Sequence, residues 1–433
     1  MKKWINGIFA ALVCLALGAG LAKAAAFPAE INEYENRYAE KLQWPSLASV
    51  RSGEFQEQTE AALADQLPFA EKIKEGYNRL FSAYNSSLLS AVMAKADVAS
   101  SASNSAAETA ADPVPHCRRP SGDTWHRITL APSIADPNAR YFTLPSGRAV
   151  LKDHLMYGQR KFEDIADQLD SRIANINSVV GSHPAIDFYA YYIEKETDVN
   201  FVEGTRTGAA EYLEKNLKLN PHNFNLFRVT AFEDFDDWFY KTDHHLNHRG
   251  GLELYHQLLA WLLPQETALE PTGEYEIGYY SGSKATGTDA QNYKDMNACY
   301  SYDYPQLITY ENGKKIGYYG AQDYYIDRVQ ANGKPFSKVS YGQLFGQDSG
   351  EIRFENPKSE NGSILVFGES FDNAILRLLA GHFSKLYSID LRNYKAQMKN
   401  EFDLDSYLSA HPDIDRILFI GNMDFYISDS FNL

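Results

Sequence analysis

From Ile364 onward the chain alternates apolar strand signals with helix signals, and this rhythm constrains the fold more than any other feature. Ile364, Leu365, Val366 and Phe367 form a continuous apolar run, the pattern of a strand buried on both faces. The periodicity then predicts a helix over 373–383, a strand over 386–391, a helix over 395–410 and a strand over 416–420. Such alternation implies an α/β fold: a parallel sheet covered by helices on both faces, with ligands bound at the carboxyl ends of its strands. Ser370 and Asn422 each fall just past such an end.

Upstream, residues 1–26 read as an export signal. Lys2 and Lys3 precede the apolar stretch from Ile8 to Leu21, and Ala22, Lys23 and Ala24 make a small-x-small cleavage site. A spanning helix needs about 20 apolar residues, so cleavage after Ala24 or Ala26 is expected in place of a membrane anchor. That implies a periplasmic, cell-envelope or extracellular protein. Residues 27–96 are expected to be mostly helical, and 97–123 form an Ala/Ser-rich linker or loop. The α/β domain then occupies 124–433. Strands are expected at 140–144, 148–151, 185–193 and 224–230, and helices at 161–180 and 208–218. Residues 265–346 are rich in Tyr, Gly, Asp and Asn and read as a β-rich insertion, with a hairpin turn at Glu311, Asn312, Gly313 and Lys314.

The net charge of -16 disfavours nucleic acid and anionic lipid as partners. The 29 tyrosines suit a sugar-binding surface and an ordinary β-rich core equally. Once a signal containing Cys14 is removed, Cys117 and Cys299 remain. Export permits a disulfide between them; two buried thiols is the other reading. One cysteine pair so far apart gives no zinc signature.

Two places carry chemistry. The first is the segment from Tyr240 to Gly250, with Asp243, His244, His245 and His248 just ahead of an amphipathic run from Leu252 to Leu263. An imidazole is the natural base near neutral pH, and a carboxylate orients it. The structural alternative is that Asp243 or Asn247 caps the following helix and the histidines lie on the surface. Metal binding by His244, His245 and His248 lacks a His-Glu-x-x-His spacing, and no metal or other cofactor is expected. The second place is Ser370, between an apolar strand and a helix. A serine there is either a nucleophile awaiting a base or the N-cap of the helix. Asn422 is either an oxyanion donor or a loop residue bonded to its own backbone.

At these residues the chain resembles a known group. Thr242-Asp243-His244-His245-Leu246 is similar to the Asp-His-His-Trp signature of the DHHW family of exported bacterial proteins, and to the Asp-x-His-Trp motif of alginate O-acetyltransferases of the J and X type. Gly368-Glu369-Ser370-Phe371 resembles their Gly-Asp-Ser-Phe element. Ser52-Gly53-Glu54-Phe55, Asp65 to Phe69, and Ile389 to Tyr394 resemble further patches of the family. The resemblance implies an SGNH-hydrolase-like sheet with circularly permuted motif order, since Asp-x-His precedes the serine. It implies Ser370 as nucleophile, His245 as base and Asp243 as orienter, with Asn422 as the oxyanion asparagine. His244, Arg392 and Tyr394 are then candidates to lie near substrate. The implied activity is that of a polysaccharide esterase or O-acetyltransferase, with a glycan partner and, for transfer, a membrane acyl-donor protein. Glu369 stands where the family has aspartate, and Leu246 where it has tryptophan. The second departure takes a large ring from beside the base. It favours a different class of function, a non-catalytic envelope protein that binds glycan.

Overall fold

A computed structural model describes residues 159–433 except 202–203, 287–293 and 318, with short pieces at Ile31–Asn32, Arg37–Tyr38, Ala62, Tyr141–Thr143 and Ala149–Leu151. The expected signal, the linker and Cys117 lie outside the described residues, as does all but a fragment of the expected helical region. The chain divides into two compact units, residues 1–99 with 286–290, and residues 100–285 with 291–433. In the first, Ile31–Asn32 pairs antiparallel with Arg37–Tyr38. The second carries the α/β architecture. Its strand pair Tyr141–Thr143 and Ala149–Leu151 falls where the sequence places strands.

The strands of the second unit from residue 187 on are β1 (Asp187–Ile193), β2 (Phe224–Phe227), β3 (Gly273–Tyr280), β4 (Asp295–Ser301), β5 (Ile308–Glu311), β6 (Lys314–Ile316), β7 (Glu351–Glu355), β8 (Ser363–Phe367), β9 (Lys385–Ile389) and β10 (Ile414–Gly421). A two-residue strand pair, Val199–Asn200 with Thr205–Arg206, stands apart from these. Eight of the ten build one sheet in the order β6-β5-β7-β9-β8-β10-β1-β2. The steps from β9 to β2 are all parallel, and those from β9 through β7 and β5 to β6 are antiparallel. This is the expected α/β class with a parallel centre. β8 is buried along its whole length. Ile364 and Val366 enter one core with Leu418 and Ile420, while Leu365 and Phe367 enter the other with Ile417 and Phe419. Period-2 alternation thus feeds two apolar layers, which is why the strand reads as an unbroken hydrophobic run.

Helices cover both layers. α1 (Ala166–Ser182) and α2 (Ala209–Asn216) close one face through Leu169, Ile173, Ile176 and Leu213. α3 (Phe232–Trp238), α4 (His248–Leu262) and, after Ser370, α7 (Asn373–Ala380) close the other through Phe235, Leu254, Leu258, Ile375 and Leu379. Between them in sequence come α5 (Gln322–Asn332) and α6 (Tyr341–Phe345). After β9 come α8 (Leu391–Met398) and α9 (Leu404–Ala410), and after β10 α10 (Met423–Ile427).

Two expectations are corrected. The helix expected over 395–410 is two helices, because Lys399 takes a left-handed φ of 68° and Asp403 starts a new helix by accepting from Ser406 N. The region 265–346 is mixed, not simply β-rich. The β3–β4 hairpin is joined by α5, which stops at Gly333 with φ 67°, and by α6, which opens with a Ser340–Gln343 capping box. Its β5 and β6 extend the main sheet, joined by the expected hairpin turn with Asn312 at φ 47° and Gly313 at φ 74°.

The loop after β1 holds a buried carboxyl with a measurable consequence. Asp198 accepts from Tyr192 Oη at 2.5 Å and Lys195 N at 3.1 Å, while burial and the nearby Glu194 push its pKa up to about 7. The folded state therefore holds this proton more tightly than the unfolded chain, whose value is about 3.9. The associated stability is full below about pH 4 and is lost as pH rises through about 7. Between pH 5 and 8, Asp198→Asn is expected to remove roughly 2–3 kcal/mol of this decline. Urea denaturation at both pH values checks this; equal declines for the two proteins would contradict it.

Candidate active site

The segment singled out in the sequence is a loop pinned at both ends. Phe239 and Leu246 form an isolated β-bridge, Tyr240 N donates to His245 O at 3.1 Å, and Asn247 N donates to Trp238 O at 2.8 Å. Asn247 caps α4, accepting from Arg249 N at 2.9 Å and Gly250 N at 3.1 Å. Capping is thus the task of Asn247, which leaves Asp243 for other partners. The loop is further fastened by the 265–346 region. Asp295 on β4 accepts from Lys241 N (3.1 Å), Thr242 N (2.8 Å) and Thr242 Oγ1 (2.6 Å), and Asn297 accepts from Tyr240 Oη at 2.5 Å.

Within the loop, Asp243 and His245 are buried, not on the surface. Asp243 Oδ1 accepts from His245 N at 3.0 Å and lies 2.5 Å from His245 Nδ1, and Oδ2 accepts from Ser283 N at 2.8 Å. Burial works against ionisation of Asp243, but the two imidazoles and these hydrogen bonds hold its carboxyl well below the usual range. Tyr280, also bonded to Asp243, keeps its proton, because burial and that carboxylate push its pKa far up.

Ser370 lies past the end of β8 and before α7. The N-cap of α7 is Asp372, so the capping alternative for Ser370 does not hold. Its Oγ lies 2.7 Å from His245 Nε2, across 125 positions of sequence. Gly368 is required in this turn: a Cβ there would sit 1.9 Å from Asp372 Oδ2. The structure therefore joins Asp243, His245 and Ser370 in one hydrogen-bonded line. A carboxylate on Nδ1 favours the tautomer whose Nε2 lone pair faces the serine hydroxyl, an arrangement able to accept the hydroxyl proton.

His244 is half-buried. Its ring centroid lies 4.1 Å from that of His245, and its Nδ1 lies 2.9 Å from Ser283 Oγ. Burial, then the adjoining His245 and the cations of Lys195 and Lys284, hold its pKa well below the ordinary value, so it is neutral at pH 7. Asp243, His244 and His245 each offer a donor atom within 4.8 Å of the others, and Asp243 Oδ1, His245 Nδ1 and His244 Nδ1 are engaged in the bonds above. His248 turns away to Glu274 at 2.8 Å and does not converge with them.

Asn422 caps α10, accepting from Asp424 N at 2.7 Å, and its Nδ2 donates to Glu369 Oε1 at 2.5 Å, beside the serine. Arg392 also reaches this turn, 3.9 Å from Glu369 Oε2, but its guanidinium is bound by Asp390 at 2.6 Å and Asp348 at 3.0 Å. Tyr394 is not at the site: it is buried against Phe402 in the opposite layer. Cys299 is a buried free thiol on β4, and burial pushes its pKa up to about 12.

Sequence reasoning missed Tyr280, Ser283, Asp295 and Tyr341, all from the 265–346 region. Tyr341 stacks on His245 at 4.1 Å and 11° between planes. Leu246, in the tryptophan position, points instead into the core formed by Phe239, Leu254 and Phe371. The ring beside the His245 imidazole is thus supplied by Tyr341, and leucine at 246 does not leave the imidazole unpacked. The Ser340–Gln343 capping box marks a helix start in sequence, but nothing in it signals the stacking.

Residues 194–389 match the family model described as DHHW protein. The matched region begins just after β1 and ends with β9, so it holds Asp243, His245 and Ser370, while Asn422 lies beyond it. Among solved structures, the chain is similar to PatB1 of Bacillus cereus with a sulfonyl adduct, at 18% identity and a TM-score of 0.47, covering 65% of this chain and 95% of that one. It is similar to a DHHW family protein from Eubacterium siraeum at 14% identity and a TM-score of 0.46, covering 67% and 93%. For AlgX of Pseudomonas aeruginosa the values are 11% identity and a TM-score of 0.30, covering 70% of each chain. No curated protein matches by sequence. Among the described residues, no helix is long and apolar enough to cross a membrane.

Proposed function

We propose that this protein is an exported SGNH-like acyl esterase or O-acetyltransferase that acts on a cell-envelope or extracellular polysaccharide through Ser370, His245 and Asp243. The observation that carries the reading is the unbroken line from Asp243 Oδ1 to His245 Nδ1 (2.5 Å) and from His245 Nε2 to Ser370 Oγ (2.7 Å). Ser370 Oγ attacks the acetyl carbonyl while His245 Nε2 takes its proton, and Asp243 steadies the imidazolium. Collapse breaks the ester bond, and His245 returns the proton to the departing alcohol. A sugar hydroxyl or water then attacks the acyl-serine and gives its proton to His245; the acyl–Oγ bond breaks, His245 returns that proton to Ser370 Oγ, and acetylated glycan or acetate leaves. Asn422 has two amide hydrogens; Glu369 binds one, and the other is assigned to the developing oxyanion.

The polysaccharide rests on the family resemblance, and the export on the Lys2–Ala24 signal. Transfer prevails over hydrolysis if water is kept from the acyl-serine, and transfer would draw on a membrane acyl-donor protein. Incubation with an aryl acetate and an acetyl-free polysaccharide tests the reading. Turnover is expected, and the ratio of acetylated glycan to acetate separates transferase from esterase. Complete absence of aryl alcohol release would leave the non-catalytic glycan-binding reading in its place.

A glycine offers a second check away from the reacting atoms. A Cβ at Gly282 would meet Asp243 Cβ at 2.2 Å and Oδ2 at 2.4 Å. Gly282→Ala is therefore expected to displace the carboxylate and lower kcat by roughly 10²-fold, the scale of an ångström misplacement. Wild-type kcat in a folded Gly282→Ala protein would contradict this.

A further inference from the structure

One side chain touches both partners of the proton transfer. Tyr341, at the start of α6, is fully buried. Its ring lies against the His245 imidazole with centroids 4.1 Å apart and planes within 11°. Its hydroxyl donates to the carbonyl oxygen of Ser370 at 2.9 Å. Phe345, one turn on, packs against the ring at 5.1 Å, and Tyr240 meets it edge-on at 6.3 Å. The tyrosine therefore has little freedom of its own. Burial keeps its hydroxyl protonated, so it remains a donor.

We propose that Tyr341 is the positioning residue of this site: its ring fixes the plane of the His245 imidazole and its hydroxyl fixes the Ser370 backbone, so that Nε2 and Oγ stay aligned. The proposal rests on the acyl-transfer reading above. Proton transfer needs the two atoms within hydrogen-bond reach, and the productive geometry tolerates only about 0.5 Å of error. Rotation of the imidazole about its Cβ–Cγ bond would break its contacts with Asp243 and Ser370 together. A ring packed flat on its face opposes that rotation. The same face carries the negative part of the aromatic quadrupole, so it also favours the imidazolium formed when His245 takes the proton.

This assigns a task to the 265–346 region as well. Tyr341 presses on the base, Ser283 N and Tyr280 hold the orienting carboxylate, and Asp295 holds the backbone before it. The region is part of the reacting apparatus rather than an appended surface.

The test compares Tyr341→Phe, Tyr341→Met and Tyr341→Leu with the wild type. Phe keeps the ring and loses the hydroxyl; Met keeps bulk without a ring face; Leu loses both. For aryl acetate turnover, Phe is expected to keep kcat within about five-fold, and Met and Leu to lose roughly 10²-fold in kcat with KM unchanged. Met and Leu retaining wild-type kcat would overturn the proposal, whatever their melting temperatures. A readout independent of turnover is the downfield proton resonance of the His245–Asp243 hydrogen bond. It should persist in Phe and broaden away in Met. If the wild type turns over no ester, the acyl-transfer reading fails, yet this resonance still decides the clamp: persistence in Met overturns it.

Discussion

Ser370→Ala is expected to abolish acyl transfer, lowering kcat on an aryl acetate by roughly 10⁴–10⁶-fold, while KM stays close to wild type. In the proposed reaction the hydroxyl forms the covalent bond to the acyl group, so the loss is of the step itself. Stability should scarcely change. Ser370 does not cap α7, and its backbone carbonyl, which Tyr341 binds, survives the substitution. Matched melting temperatures with turnover reduced to background would support the assignment. Turnover within ten-fold of wild type would move the nucleophile elsewhere.

Asp243→Asn should come next in size, at about 10⁴-fold in kcat. Asp243 accepts from His245 N, His245 Nδ1, Ser283 N and Tyr280, and offers no donor in its ionised state. An asparagine fits the same volume but brings an NH₂ group. If that group faces Nδ1, the imidazole must present a lone pair there and its proton moves to Nε2, toward Ser370, where it cannot act as a base. The variant also loses the charge that steadies the imidazolium. Burying a carboxylate is costly, so Asp243→Asn is expected to reduce stability far less than it reduces kcat. Thermal melting and steady-state kinetics on one preparation separate the two effects. A fall in kcat of less than ten-fold would remove Asp243 from the role of orienter.

Much of the fold was legible because its signals are local. The apolar run Ile364 to Phe367 reads as a doubly buried strand and is one. Glu311 to Lys314 reads as a tight turn because Asn and Gly tolerate the positive φ that such a turn requires. β7 escaped notice: only Ile352 and Phe354 face the core, and Arg353 lies over the Tyr310 ring at 4.1 Å on the other side, a pattern too short to register. The break at Lys399 was hidden for another reason. A lysine in the left-handed region leaves no compositional trace, whereas a glycine would have.

The site divides in the same way. Asp243, His245 and Ser370 stand in short motifs whose residue types suit one chemistry, so they could be paired before any geometry was known. Asn247 and Asp243 were equally good caps in sequence, and only the structure assigns the cap to Asn247. Tyr341, Ser283 and Asp295 reach the loop from the 265–346 region by tertiary packing, and residue type alone carries no record of that approach. Leu246 misled for the same reason: the sequence shows a tryptophan missing, but not that a tyrosine some way off in the chain occupies the face of the His245 imidazole.

The most direct measurement of the central claim is covalent labelling. The full chain is treated with a serine-reactive aryl phosphonate, digested, and mapped by mass spectrometry. A single adduct on the peptide containing Ser370 is predicted, formed at a rate that falls by orders of magnitude in His245→Ala. Absence of the adduct from Ser370 under conditions that label a known serine esterase, or an equal rate in His245→Ala, would contradict the account.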